Sequence, residues 1–159
     1  MLMSACLLDD IITLIYYLRK NMNTYKLSDI YLGMEESFTY TVTEHSVDLF
    51  YELTGDCSPI HVDEDFARAK GHSGRVVYGM LSASLFSTLA GVYLPGENCL
   101  LHSVESKFAK PVYIGDQLTV KGKVTEINDT FGEITIKGEI INQDGKKVVR
   151  GIIKAGVTA

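Results

Sequence analysis

Val76 to Gly96 reads VVYGMLSASLFSTLAGVYLPG, without one charged side chain. Its length alone would permit a membrane span, which takes about 20 residues. Its content argues otherwise: Gly79, Ser82, Ser84, Ser87, Thr88 and Gly91 interrupt the apolar surface, and Pro95 comes late in the run. A helix apolar on all sides is also what the buried centre of a globular domain looks like. The downstream sequence favours that reading, because strand patterns follow that could wrap such a helix. His102, Val104, Ser106 and Phe108 alternate with Ser103, Glu105 and Lys107. Leu118, Val120 and Val124 alternate with Thr119, Lys121 and Lys123. Ile134, Ile136 and Ile140 alternate with Glu133, Thr135, Lys137 and Glu139, and Val149, Ile153, Ala155 and Val157 close the series. Turn signals at Gly115-Asp116, Asn128-Asp129 and Asp144-Gly145 join these four strands into an antiparallel sheet. A greasy central helix with a sheet wrapped around it is an α+β domain.

Upstream of the helix, Phe38, Tyr40 and Val42 alternate with Ser37, Thr39 and Thr41, which predicts a half-buried strand. Thr43 caps a predicted helix from Glu44 to about Thr54, and Gly55 stops it. Val47 and Phe50 face inward on it, with Tyr51 and Leu53 as candidates to join them. A loop, DCSPIHVD, runs from Asp56 to Asp63, and Asp63 caps a short helix ending near Ala69. Gly71 and Gly74 break the chain before the uncharged helix.

The N-terminus carries LLDDIITLIYYL from Leu7 to Leu18, followed by Arg19 and Lys20. A signal peptide has its positive charges before the apolar run and a small-residue cleavage site after it. Here the charges follow, and Asp9 and Asp10 interrupt the run. Residues 1–24 are expected to lie outside a single domain over 25–159, either as a short helix that packs on it or as an extension that does not belong to it, and Leu7 to Lys20 is expected to be dispensable. Met22 opens a segment, MNTYKLSDIYLGM, with the look of a natural start.

Composition narrows the function classes. Of 159 residues, 46% are hydrophobic and 22% charged, which is ordinary globular usage rather than a disordered or low-complexity chain. Fifteen Lys plus Arg against 20 Asp plus Glu leave a net charge of −5. A phosphate backbone wants the opposite sign, so general nucleic-acid binding is not expected. Cys6, Cys57 and Cys99 are odd in number and widely spaced. They make neither a disulfide framework nor a zinc pattern, which fits a reducing, cytoplasmic setting. His45, His61, His72 and His102 have no metal-ligand spacing, and no Gly-rich phosphate loop occurs.

The chemistry-bearing candidates lie in the loop and at the start of the central helix. Asp56 and His61 sit on one loop stiffened by Pro59. A carboxylate and an imidazole side by side grip a water and shuttle its proton. On spacing alone the pair is weak: Asp56 as a turn cap and His61 as a satisfied loop histidine is the better reading. Gly79 opens the central helix, whose free N–H groups and positive end suit a carbonyl oxygen that gains charge. Tight helix packing is the plainer reason for that glycine. Ser82, Ser84 and Ser87 would bond back to helix carbonyls, and no G-x-S-x-G elbow surrounds them. Asp56 disfavours a thiolate at Cys57.

Several motifs in register then become recognisable. T-G-D-x-x-P-I-H-V-D spans Thr54 to Asp63, and G-R-V-V-Y-G-M-L-S-A-S-L-F-S spans Gly74 to Ser87. L-P-G follows at Leu94 to Gly96, and F-x-K-P-V-x-x-G-D at Phe108 to Asp116. Their order and spacing resemble the MaoC-like (R)-specific enoyl-CoA hydratases over roughly Tyr25 to Val157. The resemblance implies a hot-dog fold, a homodimer at least, and no cofactor or metal. It implies reversible syn addition of water to a trans-2-enoyl thioester, giving an (R)-3-hydroxyacyl thioester. Asp56 and His61 would be the catalytic pair holding the water, the Gly79 amide would bind the thioester oxygen, and Ser87 matches a family serine near the site. Two departures stand out. Ser58 replaces a usual asparagine and is shorter, with one donor instead of two. Tyr78 replaces a common histidine before the helix glycine and cannot become a cation. The thioester carrier is coenzyme A or acyl carrier protein, and Lys107 and Lys110 are candidates to meet its phosphates, although lysines flanking a strand are more often simply solvated. The competing readings are a non-catalytic acyl-thioester binding module and a hot-dog thioesterase. The second typically uses a carboxylate on the central helix, and none is present there.

Overall fold

The computed structural model describes residues 22–158. The expected N-terminal helix and Cys6 lie outside the described residues. Five strands form one antiparallel sheet: β1 (Glu35–Thr41), β2 (Cys99–Phe108), β3 (Gln117–Asn128), β4 (Glu133–Ile141) and β5 (Lys147–Val157). Four α-helical elements precede β2: α1 (Glu44–Thr54), the single turn α2 (Pro59–Val62), α3 (Glu64–Ala69) and α4 (Gly79–Thr88). The central helix continues past α4 as a wider π turn over Leu89–Tyr93. The sheet packs on this helix in the hot-dog arrangement. No helix among the described residues is long and apolar enough to cross a membrane.

The local signals translate directly. The Thr43 hydroxyl accepts from the Ser46 N–H at 3.1 Å to start α1, and Gly55 ends it at φ 69°, the left-handed region glycine enters without strain. Asp63 accepts from the Phe66 N–H at 2.9 Å to start α3. Two expectations need correction. Tyr51 and Leu53 do not join Val47 in the core; Leu53 is 81% exposed, because Val47 is the one fully buried position on α1. The segment from Asp56 to Asp63 is not all loop, since Pro59 at the first helical position starts a turn that carries His61. Ahead of residue 25, the Asn23 N–H donates to the Val92 carbonyl at 2.9 Å, and Thr24 bridges to Gly96.

The strand order is β1-β3-β4-β5-β2. The Gly115-Asp116 turn therefore closes no hairpin: β2 pairs with β5 at one edge, while β3 starts beside β1 at the other. Across the inner face, Gly122, Gly138, Gly151 and Ser106 stand opposite one another on four strands. The three glycines make a trough for the helix. A Cβ on Gly138 or Gly151 would stand 2.6 Å from the Phe86 ring, and one on Gly122 would stand 2.7 Å from Leu89 Cδ2. Phe86 and Leu89 are fully buried in that trough, among Leu118, Val120, Ile136, Ile140, Val149 and Ile153. The missing side chains let the helix approach the sheet closely, which is what an isolated glycine within a strand often signals.

Candidate functional site

The segment from Asp56 to His61 is fastened to the residues entering α4 by four hydrogen bonds. The Val76 N–H donates to the Ile60 carbonyl at 3.0 Å. The Arg75 Nε–H donates to the His61 carbonyl at 2.8 Å. The Tyr78 hydroxyl donates to the Asp56 carbonyl at 2.7 Å, and His61 Nδ1 meets the Val76 carbonyl at 2.6 Å. A carbonyl only accepts, so Nδ1 carries the proton. In the neutral ring that leaves Nε2 as the basic nitrogen, and no hydrogen bond within the described residues engages it.

Tyr78 binds the site together physically. Its ring packs on the His61 imidazole with centroids 4.1 Å apart and on Phe50 at 5.1 Å. Burial, and then the nearby Asp56 charge, push its phenol above the usual range, so it stays a neutral donor. The Asp56 carboxylate is exposed, and its Oδ1 accepts from the Ser58 N–H at 3.0 Å. The turn-cap role foreseen for Asp56 is thus present and leaves Oδ2 free of hydrogen bonds within the described residues. The exposed Ser58 side chain caps nothing in α2.

Below this loop lies an open cleft of about 390 Å³. His61 and Gly79 face it, with Val77, Phe108, Val112 and Val149 as its apolar walls. Gly79 begins α4, and its N–H has no hydrogen-bond acceptor among the described residues, as expected at a helix start. A Cβ at Gly79 would stand 3.2 Å from the Phe108 ring, so glycine keeps that mouth open. The structure therefore brings His61, Gly79, Tyr78, Asp56 and Ser58 into one neighbourhood. Ser87 stays apart: it is exposed, two turns further along α4, and does not line the cleft. Lys110 borders the cleft, whereas Lys107 pairs with Glu105 at 3.5 Å.

Two contributors escaped the sequence reading. Arg75 braces the His61 turn against α1, reaching Glu44 and Asp48 at 3.3 Å each. Its place in the G-R-V-V-Y-G motif was the only available signal. Phe108, read as a strand residue, closes one side of the cleft.

A family model described as MaoC like domain matches residues 32–145. The (R)-specific enoyl-CoA hydratase of Rhodospirillum rubrum is 38% identical, over 77% of this chain and 85% of its own. The 3-hydroxybutyryl-CoA dehydratase of Methylorubrum extorquens is 35% identical, over 62% of this chain and 63% of its own. An unliganded R-hydratase structure from Pseudomonas aeruginosa superposes with a TM-score of 0.79 at 28% identity, covering 84% of this chain and 86% of that one.

Proposed function

The chain belongs to the MaoC-like family, and from that premise we propose that it adds water reversibly to trans-2-enoyl thioesters, forming (R)-3-hydroxyacyl thioesters. One observation carries the reading. The His61 proton is committed to the Val76 carbonyl, so its basic Nε2 belongs to the ring that faces the same cleft as the unpaired Gly79 N–H.

In the proposed reaction a water lies between the Asp56 carboxylate and His61 Nε2. Its oxygen forms a bond to C3 of the enoyl group while the C2–C3 π pair moves toward the thioester carbonyl. The Gly79 N–H, at the positive end of α4, stabilises the negative charge gathering on that oxygen. The proton taken from water by the pair goes to C2 on the same face, which gives syn addition. Atoms and electrons balance without a metal or a redox cofactor. Tyr78 holds the Asp56 backbone and the imidazole plane in place of a family histidine, and Ser58 supplies its backbone N–H to Asp56 in place of an amide side chain. The carrier is coenzyme A or acyl carrier protein.

We further propose that the working unit is a homodimer built on β2. That strand is an edge, and Leu100, Leu101, Val104 and Phe108 on it are each at least 38% exposed. A long apolar edge is an aggregation hazard unless covered. A second copy paired antiparallel on β2 would cover it with a self-complementary contact. It would also shade the exposed Asp56 loop from bulk water.

The test is loss of the enoyl absorbance of crotonyl-CoA and of longer enoyl thioesters on both carriers. Wild type is expected to turn over, with chiral analysis giving the (R) product. Asp56→Asn should lose roughly 10²- to 10⁴-fold in kcat, the range for a general acid-base group. Thioester binding without turnover on any substrate would replace this reading with the binding module. In sedimentation, wild type should run as a dimer and Val104→Lys as a monomer; a monomeric wild type would remove the dimer proposal.

A further inference from the structure

The three serines of α4 do not behave alike. Ser84 bonds back to the Leu81 carbonyl at 2.7 Å, as a helical serine is expected to do. Ser82 does not. Its side chain is buried, with the residue 3% exposed, and its hydroxyl has no hydrogen-bond partner among the described residues. It lines the same cleft as His61 and Gly79. A buried polar group without a partner is uncommon in a folded protein and calls for an explanation.

Position explains what it could bind. Ser82 follows Gly79 by three residues, so the two share one face of α4, and helical side chains lean toward the N-terminus. That lean directs the Ser82 side chain toward the turn that presents the Gly79 N–H. The walls around these two donors are apolar: Val77, Phe108, Val112 and Val149. An acyl thioester matches that lining, because it carries one acceptor, the carbonyl oxygen, at the head of an apolar chain.

We propose that the Ser82 hydroxyl is a second donor to the thioester carbonyl oxygen, beside the Gly79 N–H. This rests on the hydratase reading above and adds a residue to it. The donor strengthens as charge gathers on the oxygen, so it acts more on kcat than on binding.

The experiment compares wild type, Ser82→Ala, Ser82→Cys and Ser84→Ala in crotonyl-CoA turnover, in calorimetric binding of the saturated thioester butyryl-CoA, and in thermal melting. Ser82→Ala should lose on the order of 10² in kcat and several-fold in butyryl-CoA affinity. Ser82→Cys, with a weaker donor, should fall between, and Ser84→Ala should match wild type. Melting of Ser82→Ala should be unchanged or raised, because the free protein loses only an unpaired hydroxyl. That outcome separates the proposed role from a structural one. Turnover within twofold of wild type overturns the proposal, as does a fall in activity that tracks a fall in melting temperature. If wild type turns over no thioester, the hydratase reading fails on its own. The butyryl-CoA affinities then decide the Ser82 contact, and equal affinities, or no binding at all, overturn it.

Discussion

Along the second half of the central helix, Phe86 and Leu89 lie against Gly122, Gly138 and Gly151 with no room to spare. At its first turn, Gly79 and Ser82 border an open cleft. Both ends depend on small residues, for opposite reasons. In the trough, absent side chains admit the Phe86 ring and the Leu89 side chain. At the first turn, absent side chains keep a space clear, and two donors there lack partners among the described residues. The trough holds the helix; the held helix then presents its first turn at a fixed position. Rigidity at one end is what allows unmet hydrogen bonds to persist at the other.

Changes at the two ends should accordingly separate in their effects. The largest is expected in the trough: Phe86→Ala should destabilise by roughly 3–5 kcal/mol in denaturant titration, the range for emptying a buried aromatic site. A cost below about 1 kcal/mol would mean the trough collapses readily and positions nothing. Gly138→Ala comes next. Its Cβ would meet the ring at 2.6 Å, and overpacking of this kind costs roughly 1–3 kcal/mol. Adding Phe86→Leu should recover part of that loss in the double mutant, and strict additivity would break the assigned contact. The smallest effect belongs to the site end. Tyr78→Phe removes the bond to the Asp56 carbonyl, worth about 1 kcal/mol of stability. It should lower kcat a few-fold with KM nearly unchanged. An effect on melting alone would make Tyr78 a packing residue only.

What was legible in the sequence follows the same division. Caps and periodicities are local, so Thr43, Gly55, Asp63 and the alternating strands yielded their elements from neighbours alone. The α+β assignment needed only those elements. Strand order did not follow, because the segment between β2 and β3 crosses the domain instead of turning. The glycine trough depends on register between strands, although each isolated glycine was a local hint of close approach. At the site, the loop motif and the helix glycine were readable through the family likeness. The protonated nitrogen of His61, the reach of Arg75 and the unbonded Ser82 hydroxyl were not. Each depends on what another segment places opposite, and Ser82 and Ser84 look alike in sequence while behaving differently in space.

The four bonds between residues 56–61 and 75–78 have one more consequence. They close the chain into a ring at its base, so that residues 62–74 form a detour whose two feet are pinned. The tip of that detour, Gly71, is exposed at a positive φ of 88°. Length or decoration added there is taken up beyond the pins rather than passed to His61. The detour is thus a natural handle, a place where a label or a tether to another protein can be mounted while the candidate site keeps its shape.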